Sequence, residues 1–277
     1  MSATQQFTGV PCQSSSLSIG PSGNFYVVQY CSTNVLEYTG GSSKKPKKPI
    51  AKYTGGNLGM SGITDPTFAI TDRNGALYVG DNGGGVTYFA AGSKKGVVAF
   101  ATGHGGLVNQ MVLDRNGDVW SVHGPNPTAV YFANDKSCTP VSSGTVIRNE
   151  IGERFSSGKL VQQVYTTIST SRLFSDNAIS VAVDSKGRLY TGGQNSDIKG
   201  VVLDFDPGSS CPNDSLSFQV GVGANPQVAV DANRNFYVSN YGANSLSMYA
   251  EAKSRPRKTI KQPKGLDAIT YTAVGPP

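Results

Sequence analysis

Two histidines and two aspartates are the residues of this 277-residue chain best suited to acid–base chemistry. His104 and His123 are its two histidines, and Asp81 and Asp176 lie in loops that the repeat pattern described below places beside them. A histidine next to a carboxylate is the minimum requirement for general acid–base catalysis near neutral pH. The sequence has no GxSxG, HExxH or nucleophilic cysteine motif. These four residues are therefore the catalytic candidates, with exposed loop histidines as the alternative interpretation.

A second set of polar side chains could bind a ligand. They follow the second strand of a predicted repeat or precede its first strand, and both kinds of loop are expected on one face. The members of this set are Gln29, Tyr30, Asn82, Asn109, Asn177, Gln194, Asn195, Asn225, Asn240 and Tyr241. Their oxygens suit sugar hydroxyls and also a hard cation such as Ca²⁺. The sequence identifies no cofactor or metal ligand with certainty. The candidate is a divalent cation such as Ca²⁺, bound in a central funnel that these polar loops would form.

The basic residues are concentrated in a few predicted turns. The net charge is +6, and three stretches between a third and a fourth strand carry much of the positive charge. Their residues are Lys44, Lys45, Lys47, Lys48, Lys94, Lys95, Arg255, Arg257 and Lys258. Such a surface could attract an acidic polymer or an anionic lipid surface. Nucleic acid is the least expected partner, because no aromatic side chains are interleaved with these cations. Protection of exposed strand edges is the alternative interpretation.

The four cysteines indicate an oxidising compartment. None of Cys12, Cys31, Cys138 and Cys211 lies in a CxxC motif or near a histidine, which argues against zinc. Two disulfides are predicted, Cys12–Cys31 and Cys138–Cys211, with buried free thiols as the alternative. The location predicted is therefore extracellular, periplasmic or at the cell surface. No signal peptide is recognised in the first residues, and no apolar run approaches the roughly 18–20 residues of a membrane helix.

The elements that must position these residues are repeated five times. Each copy is an alternating apolar run, a Gly/Asn-rich turn and a second alternating run, which is the pattern of a β-hairpin. Each second run contains one aromatic residue: Tyr26, Tyr78, Trp120, Tyr190 or Tyr237. A third alternating segment follows every hairpin, so a four-stranded unit recurs mostly at intervals of 42–52 residues. This recurrence predicts an all-β fold, a β-propeller.

The aspartates that end the first strands are predicted to be turn residues. Asp72, Asp114, Asp184 and Asp231 each precede a D-x-N-G-like turn, where a carboxylate accepts backbone hydrogen bonds. The first repeat has Gly20 at this position. A general metal motif would not permit that replacement.

The segment VAVDANRNFYVSNYGANSLSMYA (228–250) resembles the NHL-type repeats of bacterial propellers, within the wider regucalcin/gluconolactonase-like group. The resemblance implies that the innermost strand of each blade lines the axis and that the variable loops share one face. Enzymes of that group hold a metal at this face with Glu, Asn and Asp. The polar set of this chain contains no Glu.

A single propeller domain over residues 1–277 is predicted, with six blades. Residues 263–277 resemble an innermost strand and residues 4–9 an outermost strand, so both chain ends would form an incomplete closing blade. Five full blades, or a partner strand in the gap, are the alternatives. Residues 142–174 are interpreted as an insertion or an extended hairpin in the third repeat, with 159–167 as its outer strand.

These patterns favour a secreted or surface propeller that acts as a ligand-binding or interaction module. It would have a polar funnel for a small molecule or glycan and a basic rim. The alternative is a lactonase-like hydrolase or a polysaccharide lyase, metal-assisted, that uses the His and Asp residues of the funnel. A second alternative is a structural subunit that self-associates through its incomplete blade.

Overall fold

The computed structural model describes most of the chain in separate stretches. These are residues 14–29, 34–40, 48–54, 65–100, 108–128, 148–167, 177–194, 199–209, 212–213, 216–222, 226–240, 244–251 and 253–261. Within them the secondary structure consists of strands and turns, without a helix. No helix in the described part of the chain is therefore long and apolar enough to cross a membrane.

Twenty strands in the described residues form five four-stranded antiparallel sheets, one for each predicted repeat. The strands of sheet one are β1 (Ser14–Ile19), β2 (Phe25–Gln29), β3 (Asn34–Tyr38) and β4 (Ala51–Thr54). Those of sheet two are β5 (Pro66–Thr71), β6 (Leu77–Asp81), β7 (Val86–Phe89) and β8 (Val97–Phe100). Sheet three contains β9 (Val108–Leu113), β10 (Val119–Thr128), β11 (Arg148–Ser156) and β12 (Lys159–Thr167).

Sheets four and five follow the same plan. Sheet four contains β13 (Asn177–Val183), β14 (Leu189–Gln194), β15 (Lys199–Phe205) and β16 (Phe218–Val222). Sheet five contains β17 (Gln227–Val230), β18 (Phe236–Asn240), β19 (Ser245–Tyr249) and β20 (Lys258–Lys261). In every sheet the strands are neighbours in chain order. The all-β repeated unit is thus confirmed, whereas the segments assigned to a sixth blade, 4–9 and 263–277, lie outside the described residues.

Sheet three differs from its predicted layout. Its third strand is β11. The third alternating segment of this repeat, which the pattern predicts at residues 129–135, lies outside the described residues. The fourth strand, β12, has the bounds predicted for the outer strand. Strands β11 and β12 form a hairpin that turns at Ser157 and Gly158, both with positive φ. The interpretation of 142–174 as an insertion or extended hairpin stays a prediction.

Two compact units can be distinguished in the chain. The first contains residues 1–111, 117–119 and 155–161, and the second contains residues 112–116, 120–154 and 162–277. Sheets one and two belong to the first unit, sheets four and five to the second, and the residues of sheet three divide between them. The single domain over 1–277 stays a prediction.

The core of the first unit includes an apolar layer between sheets one and two. Alternate residues of a strand point to the same side of its sheet, so each sheet offers one apolar face to the other. Tyr53 of sheet one meets Phe89 of sheet two edge to face, with ring centroids 5.1 Å apart. The other buried members of this layer are Tyr26, Val28, Val35, Ala69, Leu77 and Val79.

The core of the second unit includes a corresponding layer between sheets four and five. Tyr190 of β14 stacks on Phe236 of β18 with centroids 4.6 Å apart, and Phe236 stacks on Tyr249 of β19 at 4.7 Å. All three rings are buried. The repeated aromatic of sheet five, Tyr237, is by contrast only half-buried, because Phe236 occupies the buried side of β18.

The hairpin turns confirm the prediction made for the repeated aspartates. Asp72 accepts hydrogen bonds through Oδ1 from the backbone N–H groups of Asn74 and Ala76, both at 2.9 Å. The aspartates that accept the same kind of bond in the other turns are Asp114, Asp184 and Asp231. Gly20 closes the first turn through backbone bonds alone. These carboxylates therefore stabilise turns.

Candidate functional site

Asp81, one of the four catalytic candidates, has the same hydrogen bonds as the turn aspartates. It ends β6, at the opposite end of sheet two from Asp72. Its Oδ1 accepts from the N–H of Gly83 at 2.6 Å and of Gly85 at 3.0 Å. The N–H of Gly84 donates to the carbonyl of Asp81 at 3.2 Å. With 1% of its surface exposed, Asp81 closes the turn between β6 and β7.

The second carboxylate oxygen of Asp81 resembles that of the turn residue Asp184. Oδ2 is buried and has no hydrogen-bond partner in the described part of the structure. Burial raises the pKa of Asp81 to about 6, although the N–H groups of Gly85 and Gly83 act in the opposite direction. Removal of the carboxylate from water disfavours its charged form.

This raised pKa gives stability a defined pH dependence. The ordinary pKa of Asp81 is 3.8 and its value in the fold is about 6, so the folded chain binds the proton more tightly between these values. Lowering the pH from 7 to 5 should therefore raise the free energy of unfolding, by at most about 1.4 kcal/mol per pH unit for this group. Urea denaturation at pH 7, 6 and 5 measures the effect. The rise should be smaller in Asp81→Asn, and an equal rise would contradict the assignment.

The side chains of the other three catalytic candidates lie outside the described part of the structure. His104 and Asp176 lie outside the described residues, and only the backbone of His123 is described, within β10. No three His, Cys, Asp or Glu side chains that could hold a metal come together in the described stretches.

The polar set predicted to bind a ligand is described in part. Gln29 and Asn240 are buried at the ends of β2 and β18, and Asn240 Nδ2 donates to the carbonyl of Val220 at 2.5 Å. Asn82 is exposed beside Asp81, and Asn109 is half-buried in β9. Asn177 and Gln194 face each other as backbone partners across β13 and β14. The members outside the described residues are Tyr30, Asn195, Asn225 and Tyr241.

The basic residues are the best described of the predicted sets. Lys48, Lys94 and Lys95 are exposed in the turns of sheets one and two. In sheet five, the described residues 253–261 are all exposed and contain five cations and no acidic side chain. We call these cations the basic surface: Lys253, Arg255, Arg257, Lys258 and Lys261. Three lysines predicted for the basic set lie outside the described residues: Lys44, Lys45 and Lys47. The four cysteines predicted to form disulfides also lie outside them: Cys12, Cys31, Cys138 and Cys211.

Three charged residues that meet at the start of the turn between β19 and β20 were not predicted from the sequence. Glu251 lies at the start of the turn between β19 and β20, two residues before Lys253. Arg234 Nη1 lies 2.5 Å from both Glu251 carboxylate oxygens, and Lys186 Nζ lies 3.6 Å from Oε1. Arg234 and Lys186 come from the first turns of sheets five and four. Glu251 therefore joins three turns of the second unit.

A neighbouring cation of sheet four is neutralised within its own sheet. Arg188 donates to the buried Asp204 and to Asp206 Oδ1, the latter at 2.6 Å. Asn213 Nδ2 donates to Asp206 Oδ2 at 3.0 Å. Burial raises the pKa of Asp204 to about 6, an effect that Arg188 partly offsets. Arg188 is thus engaged by carboxylates and does not belong to the basic surface.

Comparison with known proteins shows the fold. The sequence matches no protein-family model, and no curated protein sequence matches it. A structure of the nidogen/laminin complex shares 11% identity over 94% of this chain and 84% of the other, with a TM-score of 0.54.

Two further solved structures are similar to about the same degree. The Dos1 propeller shares 10% identity over 95% of this chain and 63% of its own, with a TM-score of 0.56. A luciferin-regenerating enzyme shares 12% identity over 96% and 80%, with a TM-score of 0.53. Together with the five four-stranded sheets, these likenesses show that the chain has a β-propeller fold.

Proposed function

We propose that this β-propeller is a non-enzymatic interaction module that binds an anionic partner through the basic surface of sheet five. One observation carries the proposal. All the described residues from 253 to 261 are exposed, and five of them are cations without an acidic side chain among them. Clustered like charges on one surface create a potential that attracts partners of the opposite charge.

Protection of the strand edge explains only part of this surface. Lysines on an exposed edge strand discourage pairing with other chains, which would account for Lys258 and Lys261 on β20. Arg255 and Arg257 precede the strand, in the turn. The N–H of Arg257 donates to the carbonyl of Met248 at 2.7 Å, which holds the turn against β19. An anionic partner explains the cations of the turn as well as those of the strand.

The role of Asp81 in its turn favours binding over catalysis. A hydrolase or lyase built on the funnel residues would need this carboxylate to face its substrate. Asp81 Oδ1 instead accepts two backbone hydrogen bonds and the residue is buried. The polar residues Gln29 and Asn82 of the first unit remain candidates for a second contact with a small molecule or glycan, with or without Ca²⁺.

Three finer points of the proposal rest on the sequence alone. The repeats are of the NHL type. The ring has six blades, the last completed by both chain ends. The protein works outside the cytoplasm, at a surface or in solution, with its four cysteines paired.

Charge reversal at the basic surface tests the proposed function. The triple variant Arg255→Glu, Arg257→Glu, Lys258→Glu should bind immobilised heparin at least tenfold more weakly than wild type, since three attractive contacts become repulsive. The matched control is Lys48→Glu, Lys94→Glu, Lys95→Glu, which changes the net charge equally in sheets one and two. The control should retain binding within about threefold, because none of its three lysines belongs to the basic surface.

Two outcomes would count against the proposal. Failure of the wild-type protein to bind any polyanion would refute the function itself. Equal losses in both triple variants would show that the whole predicted set of basic residues acts together, and a local site in sheet five would be refuted. Thermal unfolding of all three proteins checks that the exposed substitutions leave the fold intact.

A further inference from the structure

We propose that the partner is a linear acidic polysaccharide. Lys186 and Arg234 bind it together with the basic surface, and the Glu251 carboxylate competes with the polysaccharide for these two cations. This inference rests on the proposed function and names the ligand class and the full extent of the site. The supporting observations are the contacts of Glu251, the charges around it and the residue types of the turn.

Glu251 holds two cations at the border of the basic surface. Arg234 Nη1 contacts both of its carboxylate oxygens at 2.5 Å, and Lys186 Nζ approaches Oε1 at 3.6 Å. The side chains remain accessible, with 60% of Lys186, 27% of Arg234 and 29% of Glu251 exposed. An anionic ligand at this border can therefore reach both cations and displace the carboxylate from them.

The remaining carboxylates nearby are engaged on their own turns. Asp231, in the turn of Arg234, accepts hydrogen bonds from Asn235 and from the hydroxyl of Tyr237. Asp184, in the turn of Lys186, is buried and accepts from backbone N–H groups. Asp206 is paired with Arg188. Glu251 is thus the carboxylate among these that pairs with both Lys186 and Arg234.

The described charges at this place are mostly positive. The extended site contains seven cations, Lys186, Arg234 and the five of the basic surface, and one carboxylate, Glu251. Its formal charge is therefore +6, and clustered charges of one sign attract an anionic partner.

The residue types of the turn favour a polysaccharide over a membrane or a nucleic acid. Residues 253–261 contain no aromatic ring on which a base could stack, and their apolar side chains, Pro256 and the exposed Ile260, are too few to anchor the surface in lipid. Arginine binds sulfate and carboxylate groups in a bidentate manner, and the hydroxyl of Ser254 can bond to sugar hydroxyls. Pro256 fixes its own φ between the two arginines, which reduces the entropy lost on binding.

The variant Glu251→Gln separates this proposal from the proposed function. The substitution keeps the shape of the side chain and releases Arg234 and Lys186. Affinity for heparin should rise at least threefold, and the dependence of affinity on salt should become steeper, because more cations contact the polymer. Lys186→Gln should lower the affinity. Asp65→Asn, with the same charge change in the first unit, is the control and should leave the affinity unchanged.

The ligand class is tested with the wild-type protein at equal ionic strength. Heparin, polygalacturonate, duplex DNA and phosphatidylserine vesicles are compared as probes. Tighter binding of either polysaccharide than of DNA and vesicles is the expected result. Tighter binding of DNA or vesicles would overturn the polysaccharide assignment and leave the proposed function standing. Unchanged or weaker heparin binding by a folded Glu251→Gln would overturn the competition by Glu251.

Discussion

Replacement of Tyr190 by alanine is expected to lower the free energy of unfolding by about 3–5 kcal/mol. Tyr190 is fully buried, and its ring begins a stack that continues through Phe236 to Tyr249. The stack joins sheet four to sheet five within the second unit. Truncation removes the apolar contacts of the ring and leaves a cavity next to Phe236. Because the surrounding core is closely packed, neighbouring side chains cannot fill this cavity unless a strand moves.

The repeat supplies a matched control for this substitution. Tyr237 occupies the same repeat position in sheet five, but it is half-buried and its hydroxyl donates to Asp231 at 2.9 Å. Tyr237→Ala should lower the free energy of unfolding by only about 1–2 kcal/mol, mostly through the lost hydrogen bond and partial burial. Urea denaturation measures both. Similar losses would mean that the stack does not hold sheets four and five together.

The variant Gly192→Ala is expected to lower the free energy of unfolding by about 2–4 kcal/mol. A Cβ atom at Gly192 would lie 2.2 Å from the backbone oxygen of Pro226 and 2.6 Å from Ser180 Oγ. Ser180 Oγ donates to that same oxygen at 2.8 Å and accepts from the N–H of Val228 at 3.2 Å. Gly192 lies in β14, so the added methyl group must push Pro226, which precedes β17, away from sheet four and break both bonds.

Gly187 of the same sheet is the control for this clash. It has a φ of +85°, and a Cβ atom there would have only Pro207 Cβ nearby, at 3.9 Å. Gly187→Ala should therefore lose only about 1 kcal/mol, the effect of a side chain in the left-handed region. Denaturant midpoints of the two variants provide the measurement. A smaller loss for Gly192→Ala than for Gly187→Ala would contradict the close approach of β14 to Pro226.

The sequence revealed the repeated sheet because hairpins are determined locally. Alternation and turn residues are short-range signals, so the bounds of β12 and the turn role of Asp72 follow from them directly. The same signal was present for Asp81, since DNGGG has the spacing of DRNGA. Asp81 thus has both a turn signal and a predicted place beside the histidines, and its catalytic role stays a prediction.

The basic surface could be predicted only in part for a different reason. Its cations are consecutive in sequence, so the exposed turn was visible as a charge run. The contacts of Glu251 with Arg234 and Lys186 join turns that are 17 and 65 residues away in the chain. Arg234 also takes the place that glycine has in other turns, with a φ of +63°. Contacts between sheets leave no periodic signal in the sequence.

Lysine footprinting in the presence of a polyanion tests the central claim most directly. Wild-type protein is acetylated with and without heparin, and the rate at each lysine is measured by mass spectrometry. Lys253, Lys258 and Lys261 are expected to be protected at least fivefold, while Lys94 and Lys95, which are also exposed, keep their rates. Protection of Lys94 and Lys95 with unchanged rates at the three lysines of sheet five would contradict the account.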